Sequence, residues 1–91
     1  MSTIPPEESL IEYPSDFPIK VMGQTHDTLL DELLAIVLEF DPDFDETTIE
    51  KRPSKAGNYT GLTFTVRATS REQLDSLYRA LHAHHLVRVV L

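Results

Sequence analysis

From Leu62 onward, residues 59–69 (YTGLTFTVRAT) alternate strictly between apolar and polar side chains. Leu62, Phe64, Val66 and Ala68 fall on one side of an extended chain, and Thr63, Thr65 and Arg67 on the other. A period of two over this length specifies a strand with one face on a core and the other face outward. At Ser70 the period changes. Ser70-Arg71-Glu72-Gln73 has the spacing of a capping box, which satisfies backbone N–H groups that a helix start leaves unpaired. Leu74, Leu77, Tyr78 and Leu81 then recur at helical spacing and cover about 100° of the circumference, the stripe of a helix resting on one sheet.

The same reading extends to the rest of the chain. Residues 16–24 (DFPIKVMGQ) alternate as a strand, with Phe17, Ile19 and Val21 on one face and Lys20 and Met22 on the other. Gly23 is expected to end it in a sharp turn. Residues 27–40 (DTLLDELLAIVLEF) read as a helix with Asp27, Asp31 and Glu32 near its positive end. Its apolar stripe comprises Leu29, Leu33, Ile36, Val37 and Phe40, widened by Leu30, Leu34 and Leu38 to roughly 200°. Asp41-Pro42 stops it. Residues 47–53 (TTIEKRP) read as a charged edge strand. Residues 54–58 (SKAGN) form a turn in which Gly57 and Asn58 supply positive φ. Residues 86–91 (LVRVVL) close the series as a strand with Val87, Val89 and Leu91 on one face.

The order β-α-β-β-α-β, with two right-handed crossovers, predicts an α+β, ferredoxin-like two-layer sandwich. Its antiparallel four-stranded sheet has spatial order 4-1-3-2, both helices on one face and the other face open. One domain is expected over residues 15–91, preceded by a tail at 1–14 in which Leu10, Ile11 and Tyr13 dock as a short turn. A chain of 91 residues buries only about 60–65% of its unfolded surface, so most of its apolar residues are needed for the core.

Composition removes several functions. The chain has no cysteine, which excludes thiol chemistry and a disulfide framework and suits the cytoplasm. With 15 acids against 8 bases the net charge is −7, which opposes general binding to nucleic acid or anionic membrane. The segment before residue 9 lacks the pattern of a signal peptide, and no apolar run approaches the length of a membrane span.

Three separated motifs, Lys20-Val21-Met22-Gly23, residues 53–59 (PSKAGNY) and Val87-Arg88-Val89-Val90-Leu91, resemble the YbeD-like family of short bacterial proteins of undetermined function. The resemblance runs from about residue 10 to the end. It implies a fold similar to ACT regulatory domains, which bind small ligands such as amino acids, often at dimer interfaces. On that basis a small anionic metabolite would meet Gly23 and Gln24, with Lys20, Arg67 and Arg88 as nearby bases. The resemblance supplies no catalytic residue.

The residues themselves offer five candidate surfaces. The open sheet face should present Lys20, Met22, Thr63, Thr65, Arg67, Arg88 and Val90, a local basic surface in an acidic protein. The ordinary reading is a solvated face of strand-forming residues. RNA recognition would need outward aromatics, but Phe17 and Phe64 lie on the inward register. Lys51, Arg52 and Lys55 flank a turn whose N–H groups suit an anion, although the phosphate-loop spacing is absent. Asp41, Asp43 and Asp45 lack the glycine and glutamate of an EF-hand. His82, His84 and His85 crowd the end of the second helix. His82 and His85 are the better-placed pair, a third ligand is not evident, and no metal or cofactor is expected. Finally, Leu30, Leu34 and Leu38 either complete a thick core or remain exposed to bind a protein partner or a second copy. With no catalytic constellation, the expectation is a non-enzymatic regulatory or adaptor domain.

Overall fold

A computed structural model describes residues 12–91. The elements are β1 (Ser15–Gln24), α1 (Leu29–Phe40), a single 3-10 turn (Glu46–Thr48), β2 (Glu50–Pro53), β3 (Tyr59–Ala68), α2 (Arg71–His82) and β4 (Val87–Val90). The sheet order is β2-β3-β1-β4 with every pairing antiparallel, the 4-1-3-2 arrangement read from the sequence. The fold is ferredoxin-like α+β.

The central pair β1–β3 runs in unbroken register from Ser15↔Ala68 to Gln24↔Tyr59. This carries the two alternations onto common faces. Ile19 and Val21 share the inner face with Leu62, Phe64, Val66 and Ala68, all buried. Leu29, Leu33 and Val37 of α1 and Leu74, Leu77 and Leu81 of α2 complete one core cluster over that face. Hydrophobic burial of this kind is the dominant favourable term in folding.

Capping decides the helix ends. Ser70 Oγ accepts the Gln73 N–H at 3.0 Å, as the capping box requires. Gln73 Oε1 reaches one residue further back than expected, to the Thr69 N–H at 2.7 Å. Its Nε2 donates to the carbonyls of Phe40 (2.8 Å) and Arg67 (3.1 Å), tying α2 to the end of α1 and to β3. α1 starts at Leu29 rather than Asp27: the Thr28 carbonyl accepts the first helical bond, from the Glu32 N–H at 2.9 Å, and the Thr28 N–H is taken by His26 Nδ1 at 3.1 Å in the preceding turn.

Four local expectations are corrected. Residues 47–49 are not strand: Asp45 Oδ1 accepts both the Thr47 N–H (2.9 Å) and its hydroxyl (2.6 Å), winding the chain into the 3-10 turn. Gly23 does not end β1 in a turn and has no positive φ; it lies within the strand. A Cβ there would sit 3.0 Å from both Leu29 Cδ1 and the Leu86 carbonyl, so Gly23 is a point of close approach. In the β2–β3 turn only Gly57 has positive φ, at 79°, and Asn58 does not. Finally, β4 contains a bulge. Met22 pairs with Val89 but Gly23 pairs with Val87, leaving Arg88 as the extra residue. Val90 therefore faces the core beside Val21, while Val89 turns to the open face, reversing the alternation expected there.

Candidate functional site

The open face of the sheet holds the most distinctive surface. Among the described residues the exposed large apolar side chains are Met22, Leu38, Tyr59, Val89 and Leu91. All but Leu38 lie on this face: Met22 pairs with Val89, Tyr59 pairs with Gln24, and Leu91 exchanges both backbone hydrogen bonds with Lys20. Leu91 is 73% exposed. Between β2 and β1, Gly61 leaves the middle of the face without a side chain. The result is a mainly apolar trough of 430 Å³ whose rim includes Lys20, Glu50, Arg52, Met22, Val89 and Leu91.

Register places the charges. Glu50, Thr63 and Lys20 form one row across the face, and Arg52, Gly61, Met22 and Val89 the next. No ion pair engages Lys20 or Arg52 among the described residues. In an acidic protein they form a local cationic margin to an apolar floor.

The other bases expected on this face do not join them. Arg67 is opposite Asp16 at the far end of β1 and lies 3.2 Å from its carboxylate. Both partners are exposed, so the pair contributes little. Arg88 donates to Gln24 Oε1 and to the His85 carbonyl, each at 2.9 Å. Asp16 and Gln24 are eight strand positions apart, roughly 27 Å, so Arg67 and Arg88 do not meet around one small ligand. Gly23 faces inward under Leu29 and contributes nothing to the open face.

The remaining candidates are partly spent. In the 54–58 turn, Ser54 N–H goes to the Tyr59 carbonyl, Gly57 N–H to the Ser54 carbonyl and Tyr59 N–H to Ser54 Oγ. Those N–H groups are not free for an anion, and Lys51 and Arg52, consecutive on a strand, point to opposite faces. Asp41 is buried and accepts the Arg67 N–H at 2.9 Å, while Asp45 is committed to Thr47. The expected Asp41–Asp45 loop is thus a structural joint. Leu30 and Leu34 are half-buried, Leu30 packing against the core, and Leu38 is exposed. Tyr13 packs against the core as expected, whereas Leu10 and Ile11 lie outside the described residues.

The histidines are arranged differently from the expected His82–His85 pair. α2 ends at His82, and His84 and His85 lie in the following loop with rings stacked at 4.7 Å. His84 Nδ1 accepts the Leu86 N–H at 3.2 Å, so its ring proton sits on Nε2, which donates to Glu32 Oε1 at 2.6 Å. One ring thus bridges α1 to the approach to β4. The Thr28 hydroxyl, then the His84 bond, hold the Glu32 carboxyl below the usual range. A depressed carboxyl stabilises the fold above its unfolded pKa, and the contribution is lost as pH falls through the folded value. In urea titrations across the acid range, Glu32→Gln is expected to lose less stability than the parent; equal acid sensitivity would contradict the assignment.

The three motifs at 20–23, 53–59 and 87–91 converge here. Met22 and Gly23 pair with β4, Gln24 pairs with Tyr59, and the Thr25 N–H donates to the Asn58 carbonyl at 2.9 Å. A family described as "Protein of unknown function (DUF493)" matches residues 8–91.

The chain belongs to this family.

DUF493 relatives include UPF0250 proteins of Bordetella pertussis (strain Tohama I), 70% identical over 91 residues, and of Janthinobacterium sp. (strain Marseille), 63% identical over 91 residues; each alignment spans 100% of both chains. The solution structure of protein HP0495 from H. pylori is similar with a TM-score of 0.75 at 16% identity, covering 100% of this chain and 98% of that one, a likeness of fold. No helix among the described residues is long and apolar enough to cross a membrane.

Proposed function

We propose that this DUF493 chain is a non-enzymatic regulatory or adaptor domain that acts through protein contacts made by the open face of its sheet. The observation carrying this reading is the collection of Met22, Tyr59, Val89 and Leu91 on one face, around the notch at Gly61 and beside the unpaired cations Lys20 and Arg52. Exposed apolar groups with a polar rim mark interaction surfaces. The occupant that fits is a partner segment presenting aliphatic side chains next to an acidic residue. The former would cover the floor and the latter would meet Lys20 and Arg52. The contact surface is thereby moved from Leu30, Leu34 and Leu38 to the sheet. A cytoplasmic setting belongs to this reading and agrees with the cysteine-free composition.

Met22→Asp and Val89→Asp add charge at exposed positions and are expected to leave the circular dichroism spectrum and denaturation midpoint near the parent values. Affinity capture with quantitative mass spectrometry should show a partner enriched by the parent chain and by Leu38→Asp, and lost with both sheet-face variants. A partner lost with Leu38→Asp but retained by the sheet-face variants would return the contact to α1 and refute the proposal.

A second reading, a sensor of a small anionic metabolite, is favoured by one observation. The trough volume of 430 Å³ lies within the range of small-molecule sites, about 300–1,000 Å³. An NMR screen of organic acids would support it through shifts confined to Lys20, Met22, Arg52 and Gly61, and oppose it if none moved.

A further inference from the structure

Away from the open sheet face, the first turn of α1 and the loop before β4 bring Glu32, His84 and His85 together. One ligand-capable atom from each lies within 4.8 Å of the others. We propose that these three side chains form a binding site for a divalent transition-metal ion of borderline softness, with zinc as the probe ion. Two imidazoles and a carboxylate are the donor set that suits such ions, and alkaline-earth ions prefer all-oxygen shells.

The donors are held by different means. The second Glu32 oxygen accepts the Thr28 hydroxyl, which orients the carboxylate toward His84. The His84 side chain is 11% exposed, so its Nε2 position is fixed by packing. His85 is exposed and stacked against it with an interplanar angle of 22°. Zinc–ligand distances of about 2.0–2.1 Å need the Glu32 carboxylate to draw back by under about 1 Å from His84 Nε2, now 2.6 Å away, and a modest splay of the outer ring then brings the His85 nitrogen onto the ion. The exposed side leaves room for water to complete the coordination shell.

The proton balance gives the site a diagnostic signature. The ion takes the place of the proton on His84 Nε2, and the neutral ring then carries its one proton on Nδ1. That nitrogen ceases to accept the Leu86 N–H, a bond of 3.2 Å in the metal-free arrangement. Metal-bound histidines ordinarily donate from the second nitrogen, so occupancy should redirect it to water or a carbonyl. Loss of the Leu86 hydrogen bond weakens binding by about tenfold without abolishing it. Leu86 in turn accepts the Gln24 N–H at 2.7 Å, so the ion is reported at the seam between β1 and the start of β4.

Tag-free full-length chain, stripped with chelator, would be titrated with zinc chloride by calorimetry and by amide and imidazole NMR. One saturable site is expected, with affinity falling at least tenfold in His85→Ala and in Glu32→Gln and unchanged in His82→Ala. The Leu86 amide and the His84 ring signals should shift on binding. His85 is exposed, so its replacement leaves the core intact and separates loss of a ligand from loss of the fold. Absence of saturable binding, parent-like affinity in both ligand variants, or binding that leaves the Leu86 amide unmoved would each overturn the proposal.

Discussion

Phe64→Ala should remove about a third to a half of the stability of this domain. Phe64 is the largest fully buried side chain, at the centre of β3, with Ile19 opposite it on β1 and the Phe44 ring at 5.9 Å. Truncating a core phenylalanine costs about 3–5 kcal/mol, because the lost transfer energy is joined by the cavity left behind. Domains hold roughly 0.05–0.15 kcal/mol per residue, so the whole reserve here is of order 10 kcal/mol. Urea denaturation followed by circular dichroism should show the midpoint falling by a third or more with little change in slope. An unfolding free energy within about 0.5 kcal/mol of the parent would mean that the core is not centred on β3.

Gly23→Val should be nearly as damaging, for the opposite reason. The site is overfilled rather than emptied. Its first added carbon already meets the Leu86 carbonyl and Leu29 Cδ1 at 3.0 Å, and the valine methyl groups extend further into the same wall. The leucine tip can move, but the carbonyl belongs to backbone that accepts the Gln24 N–H. Overpacking of this kind costs about 1–3 kcal/mol or more and should loosen β4 first. Hydrogen exchange would show it as lost protection at Gln24 and Leu91, whose amides bond across the β1–β4 seam. Gly61→Ala is the control. Its added carbon meets only the Arg52 carbonyl at 3.5 Å, an ordinary contact, so stability should hold while the trough fills. Equal stability of the Gly23→Val variant and the parent would refute the close approach of α1 and β4 at that glycine.

These glycines show where the sequence stops being legible. At Gly57 the local rule is sufficient, because a turn needing positive φ selects glycine. At Gly23 the constraint comes from Leu29 and Leu86, which sequence inspection places elsewhere in the chain. Gly61 has neither constraint; its significance is the space it leaves on a face whose neighbours come from β2, β1 and β4. The candidate surface was legible only in part. Strand alternation places Lys20 and Met22 outward, as the register does, but the Arg88 bulge exchanges Val89 and Val90, which alternation does not reveal. The link from His84 to Glu32 joins residues 52 apart, and a histidine-only search passes over the carboxylate.

The periodicities by themselves determined the element order and most of the core, and the right-handed rule for crossovers then determined the sheet order. Side-chain direction repeats every two residues in a strand and every 3.6 in a helix, and both are local properties of the chain. The Ser70 cap was equally local, because donor and acceptor lie three residues apart. Tertiary structure alone decided the bulge at Arg88, the buried role of Asp41, the packing role of Gly23 and the meeting of Glu32 with His84 and His85. Each depends on a partner more than 20 residues away, with two nearer contacts besides, Gly23 against Leu29 and the His84–His85 stack. A one-residue change of register at the Arg88 bulge moves a side chain from the core to the open face.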